Sequence, residues 1–127
     1  DHRDLHSFPT RRSSDLDSEL TKILSDVAQG SGLNVHQGKV WSTDAILRET
    51  REHVGKAVDE GCIAVDMVTS VFLTLAQLYK VKAAVILAVS DNIITGEMGF
   101  MDPNYYMAEG STIGIALNLI KKLEGRS

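Results

Sequence analysis

Cysteine is nearly absent from this chain: Cys62 is the only one in 127 residues. One thiol builds neither a disulfide framework nor a cysteine metal cluster, so the sequence predicts a reducing, cytoplasmic setting. Basic charge is also scarce. Lys and Arg number 13 against 17 Asp and Glu, a formal net charge of −4. An acidic chain without a basic stripe lacks the phosphate-neutralising surface that a nucleic-acid partner requires. Long apolar runs are missing too. The longest uncharged stretch, Met67 to Tyr79, is followed by Lys80 and Lys82 and falls short of the ~20 residues of a membrane helix. No signal peptide is visible. His36 and His53 lie on separate elements without ligand spacing, so no metal site is expected. These absences predict a soluble protein with neither a membrane nor a nucleic-acid partner.

What is present suits one modest domain, with a hydrophobic share of 43%. Residues 1–16 stand apart. They have no hydrophobic period and resemble the translation of one reading frame of a short-read sequencing adapter. A disordered tail or a weak phosphate-binding arm at Arg11-Arg12 are the alternatives. The segment is set aside as a non-native tail, leaving 17–127 as the domain. Arg3, Arg11 and Arg12 offset Asp1, Asp4 and Asp15, so the remainder keeps the same net charge.

From Asp17 onward there is no linker, repeat or low-complexity tract. Leu20, Ile23, Leu24 and Val27 mark one face of a helix over 18–29, stopped by Gly30-Ser31-Gly32. Leu33, Val35 and Val40-Trp41 suit extended structure, with a bend at Gly38. A polar helix over Arg48–Glu60 ends at Gly61, and Cys62–Asp66 reads as a short strand. Met67–Lys80 reads as a helix with Met67, Val71, Leu75 and Leu78 on one face. Ala83–Val89 has the unbroken apolar pattern of a strand buried on both sides. A loop through Asp102-Pro103-Asn104 leads to a helix over about Tyr105–Leu123, packing through Ile113, Leu117 and Ile120. The order α-β-α-β-α-β-α predicts an α/β fold with a partly parallel sheet flanked by helices.

Three polar spots fall where a strand meets a loop, the place where ligands gather in open α/β sheets. They are Ser42-Thr43-Asp44, Asp66, and Ser90-Asp91-Asn92. If the strands are neighbours, one pocket serves all three. Each also has a plain structural reading. The first is a helix cap, the second caps the helix that follows it, and the third is a turn. Trp41, Tyr105 and Tyr106 read as core or interface aromatics.

Taken together, three segments carry a resemblance. Gly38-Lys-Val-Trp-Ser-Thr-Asp44, Gly61-Cys-Ile-Ala-Val-Asp-Met67 and Val85-Ile-Leu-Ala-Val-Ser-Asp-Asn92 resemble consecutive motifs of the purine nucleoside and uridine phosphorylase family. The similarity runs through nearly all of 17–127, and Ser90-Asp91 resembles the purine-type branch. The resemblance implies a mixed sheet, partly closed into a barrel and flanked by helices, assembled as dimers or hexamers. It implies phosphorolysis of a purine-type nucleoside, with inorganic phosphate as co-substrate and no cofactor. Val65, Asp66, Met67 and Val68 would line the ribose pocket. Thr43, Asp44, Ser90 and Asn92 would lie about the substrate, and Asp91 would give a proton to purine N7 as the bond breaks.

Chemistry of that kind builds positive charge on the sugar and negative charge on the leaving base, so the acid must still hold its proton when it meets the base. Burial at the end of an apolar strand would favour that. Two positions depart from the family pattern. Val68 stands where a glutamate normally accepts hydrogen bonds from the ribose hydroxyls, and no arginine follows Asn92 before Arg126. Ile46 falls near a position that is often aromatic. The family's phosphate-binding glycine-rich loop, its arginine and a sugar-binding histidine belong to an N-terminal half not present in these residues, so the polypeptide as written is expected not to turn over nucleosides. The rival readings are a methylthioadenosine or adenosylhomocysteine nucleosidase of the same fold, a non-catalytic nucleoside-binding protein, and an unrelated α/β domain.

Overall fold

The computed structural model describes residues 16–43 and 51–125. Asp44 and Ile46, both singled out above, lie outside the described residues. The described residues divide into two compact units, one containing 16–18, 36–43 and 51–84, the other containing 19–35 and 85–125.

The first unit is built on a β-α-β crossover. Strand β1 (Lys39–Ser42) pairs in parallel with β2 (Cys62–Asp66), and helix α2 (Arg51–Asp59) lies between them in sequence. Register runs Val40 to Ala64, Trp41 to Val65 and Ser42 to Asp66, with an irregularity after Lys39 that leaves Ile63 without a counterpart. Gly38 sits where Ile63 approaches: a Cβ there would stand 2.6 Å from Ile63 Cδ1, so this glycine makes room for that side chain. Gly61 closes α2 in the left-handed region at φ +81°, with its N–H on the Val58 carbonyl.

Helix α3 (Thr69–Leu78) follows β2. It ends two residues earlier than expected because Lys80 turns left-handed at φ 54° and its N–H reaches Gln77 O. Its buried face also differs from the expectation. Thr69, Leu73 and Ala76 are buried, whereas Met67, Val71, Leu75 and Leu78 are exposed. The segment Thr-Ser-Val-Phe-Leu-Thr-Leu-Ala-Gln-Leu is apolar nearly all round, so periodicity alone does not select a face. Selection comes from the N-terminus, where Asp66 and Ser42 bind Thr69 and Ser70 and turn the 69-73-76 stripe inward.

Helix α1 runs Ser18–Gln29, all but its first residue in the second unit. Ile23, Leu24 and Ala28 are buried, as the 18–29 periodicity predicts. Strands β3 (Asp91–Asn92) and β4 (Glu97–Met98) form a two-residue antiparallel hairpin, a single 3-10 turn spans Gly99–Met101, and helix α4 runs Pro103–Glu124. Asp102 caps α4 through its carboxylate on Asn104 N–H at 2.9 Å, and Pro103 occupies the first turn, where its missing N–H costs nothing. That cap starts the helix two residues before the sequence expectation.

Two further expectations fail here. Ala83–Val89 forms no strand: residues 81–90 have no ladder partner among the described residues, and exposure climbs from 4% at Ala83 to 75% at Val89. An apolar run shows what a strand would bury, but the ladder needs a neighbouring edge. In α4, Ile115 is buried while Ile113, Leu117 and Ile120 are exposed. The half-buried positions Tyr105, Ala108, Thr112 and Leu119 share the Ile115 face. The architecture is α/β, with a small parallel sheet and a small antiparallel one beside helices.

Candidate functional site

In the first unit the polar residues converge at the carboxyl ends of β1 and β2. Ser42 and Asp66 are direct neighbours in the parallel register. Ser42 Oγ donates to Asp66 Oδ1 at 2.5 Å and accepts from the Ser70 N–H at 3.1 Å. Asp66 Oδ2 accepts from the Thr69 N–H at 3.0 Å and from the Thr69 hydroxyl. Ser42, Thr43 and Thr69 are buried, Thr43 at only 4% exposure. Thr43 N–H extends the ladder by donating to Asp66 O at 2.8 Å. Asp66 therefore caps α3, supplying the acceptor that the first N–H groups of a helix lack.

Ser42 also caps α3, a helix 28 residues further along the chain, through Ser70. The cluster thus brings Ser42, Thr43, Val65 and Asp66 of the sequence candidates to one place, and adds Thr69 and Ser70. The register of β1 against β2 is what sets Ser42 beside Asp66. Beyond the cap, Met67 and Val68 are exposed at 45% and 65%.

In the second unit Ser90, Asp91 and Asn92 are held by local bonds. Gly99 N–H donates to Asp91 Oδ1 at 2.8 Å, and Ser90 Oγ donates to Asp91 Oδ2 at 2.9 Å. Asn92 Oδ1 accepts from the Ile94 and Thr95 N–H groups, and Asn92 O accepts from Gly96 N–H, which makes the turn that the sequence alternative foresaw. Ser90, Asp91 and Asn92, with Val89, Glu97, Met98, Gly99 and Asp102, line an open concavity of about 580 Å³, within the size range of small-molecule sites.

Asp91 is exposed, so the burial expected for it is not met. The strand that was to enclose it does not form. Tyr105 stays a protonated donor: the Glu109 carboxylate chiefly raises its pKa, with smaller contributions including one from Asp91. Of the aromatics, Trp41 is buried, Tyr105 half-buried and Tyr106 exposed.

Sequence reasoning did not single out Gly99, whose N–H holds Asp91. Its only signal is a glycine placed after the hairpin's second strand. Other chemistries are poorly served. Burial first, and Glu60 second, push the Cys62 thiol up, which suppresses the thiolate a nucleophile needs. Among the described residues no group of three or more His, Cys, Asp or Glu could hold a metal ion, and no helix is long and apolar enough to cross a membrane.

Comparison with known proteins points one way. Residues 1–120 match the family described as the Phosphorylase superfamily. Proteins named purine nucleoside phosphorylase DeoD-type from Bacillus cereus (strain ZK / E33L) and Bacillus thuringiensis (strain Al Hakam) are each 42% identical over 79 residues. So is one of the same name from Bacillus mycoides (strain KBAB4). In each case the alignment covers 62% of this chain and 34% of the relative, so the chain spans about a third of the length of the curated relatives it matches.

Proposed function

The chain belongs to the phosphorylase superfamily, and from that premise we propose that it supplies base- and sugar-recognising residues for phosphorolysis of a purine-type nucleoside. The observation that carries the proposal is the anchored carboxylate at the 580 Å³ concavity: Gly99 N–H holds Asp91 Oδ1 while Oδ2 shares only the rotatable Ser90 hydroxyl. Asp91 delivers a proton through Oδ2 to the leaving base, with Ser90 and Asn92 beside it. Thr43, Asp44 and the segment Val65, Asp66, Met67 and Val68 serve the substrate on the sugar side. Base protonation neutralises the leaving group, a step of the kind worth about 10²–10⁴-fold in rate. Phosphate attacks the sugar carbon as the C–N bond breaks, and no cofactor takes part.

The phosphate contacts come from residues outside these 127. The names of the relatives support the reaction, and the 34% of their length that the chain spans supports the division of labour. The working enzyme is a cytoplasmic homo-oligomer, either a dimer or a hexamer. Exposed Val71, Phe72 and Leu75 on α3 are consistent with covered faces.

Isothermal titration of the 127-residue chain with inosine should give saturable binding with a Kd on the order of 1 mM, equivalent to about −4 kcal/mol. No hypoxanthine should be released, with or without phosphate. Absence of saturable binding would overturn the nucleoside assignment. Phosphate-dependent release by this chain would overturn the division of labour, and release without phosphate would favour a nucleosidase.

A further inference from the structure

The turn after β2 carries one carboxylate, and the protein itself uses both of its oxygens. Asp66 Oδ1 takes the Ser42 hydroxyl, while Oδ2 takes the N–H and the hydroxyl of Thr69. Swinging Asp66 toward a ligand would strip the first N–H of α3 of its acceptor and leave the buried Ser42 hydroxyl without its own. Met67 and Val68 are the side chains this turn presents outward, and neither offers a useful hydrogen-bond acceptor. A sugar hydroxyl laid against them gives up its water and gains no partner. A deoxygenated carbon gives up nothing and gains apolar contact.

We infer that the 66–68 turn selects nucleosides deoxygenated on the sugar edge it meets, favouring 2′,3′-dideoxy over 2′-deoxy over ribose forms. This rests on the proposal that the turn faces the sugar. Val68 is the specificity-determining residue. Each unpartnered hydroxyl should cost about tenfold in affinity, the scale on which an apolar surface discriminates against an added hydroxyl.

The test is titration of the full 127-residue chain with inosine, 2′-deoxyinosine and 2′,3′-dideoxyinosine, followed by calorimetry. The native chain should bind the dideoxy form about a hundredfold more tightly than inosine, about tenfold for each of the two hydroxyls. Val68→Glu, at an exposed position that tolerates the longer side chain, should invert that order. Equal affinity for all three, or preference for inosine by the native chain, overturns the sugar inference while leaving base recognition standing. An unchanged order in Val68→Glu also overturns it. If none of the three binds, the inference falls together with the proposed function.

Discussion

Replacing Asp66 by alanine should lower the unfolding free energy of the chain by about 2–4 kcal/mol, the sum of a lost helix cap and a buried hydroxyl left without its partner. That is a large part of the ~5–15 kcal/mol by which small domains are stable. The effect has two sources. Thr69 N–H loses the acceptor that starts α3, and Ser42, only 7% exposed, loses the oxygen to which it donates. Asparagine at the same position keeps a capping oxygen and should cost less than alanine. Thr69→Val removes one hydroxyl contact while keeping the backbone bond, and should cost about 1 kcal/mol. Urea titration followed by circular dichroism at 222 nm reads all three. Alanine and asparagine variants of equal stability would mean that the cap is not what holds the turn.

Glycine 99 should tolerate no side chain. A Cβ there would overlap the Ser90 carbonyl oxygen and stand 2.8 Å from its carbon, and backbone cannot swing aside as a flexible side chain does. Gly99→Ala should cost about 1–3 kcal/mol, as overpacking commonly does, expressed as local opening of the hairpin. Because the Gly99 N–H is also the donor that holds Asp91, the variant should release that carboxylate. Hydrogen exchange at the residue 99 amide should accelerate by about ten- to a hundredfold, the equivalent of about 1.4–2.8 kcal/mol. Unchanged protection of that amide would show that the hairpin relaxes without losing the Asp91 bond.

Much of the architecture was legible from local signals. The 18–29 helix shows its apolar face and its glycine stop, and the Cys62–Asp66 strand stands between Gly61 and the next helix, so both emerge as expected. What the sequence could not reveal depends on partners. Ala83–Val89 has the composition of a doubly buried strand, yet a strand exists only when another edge completes its hydrogen bonds.

Helices α3 and α4 are apolar on more than one face, so period 3.6 left their orientation open. In α3 the choice was made by hydrogen bonds to Asp66 and Ser42, which no periodicity contains. The Ser42 role needed strand register: a serine 24 residues from Asp66 in sequence becomes its direct neighbour across the ladder. Asp66 illustrates how two readings can share one residue. Its capping geometry is built into the fold, and its place beside the substrate is a proposal that the cap does not remove. Val68, by contrast, was visible from the start as an apolar residue at a polar motif position, and its exposure makes that departure consequential.

The account stands on one proposal, that Asp91 meets the base of a bound nucleoside. ¹H–¹⁵N correlation spectra of the chain, titrated with inosine, test it most directly. Amides of 90–92 should shift along one saturation curve, and Asp91→Asn should weaken that curve by about tenfold, the scale of one lost hydrogen bond. Shifts confined to other residues, or an Asp91→Asn curve that overlays the native one, would contradict it.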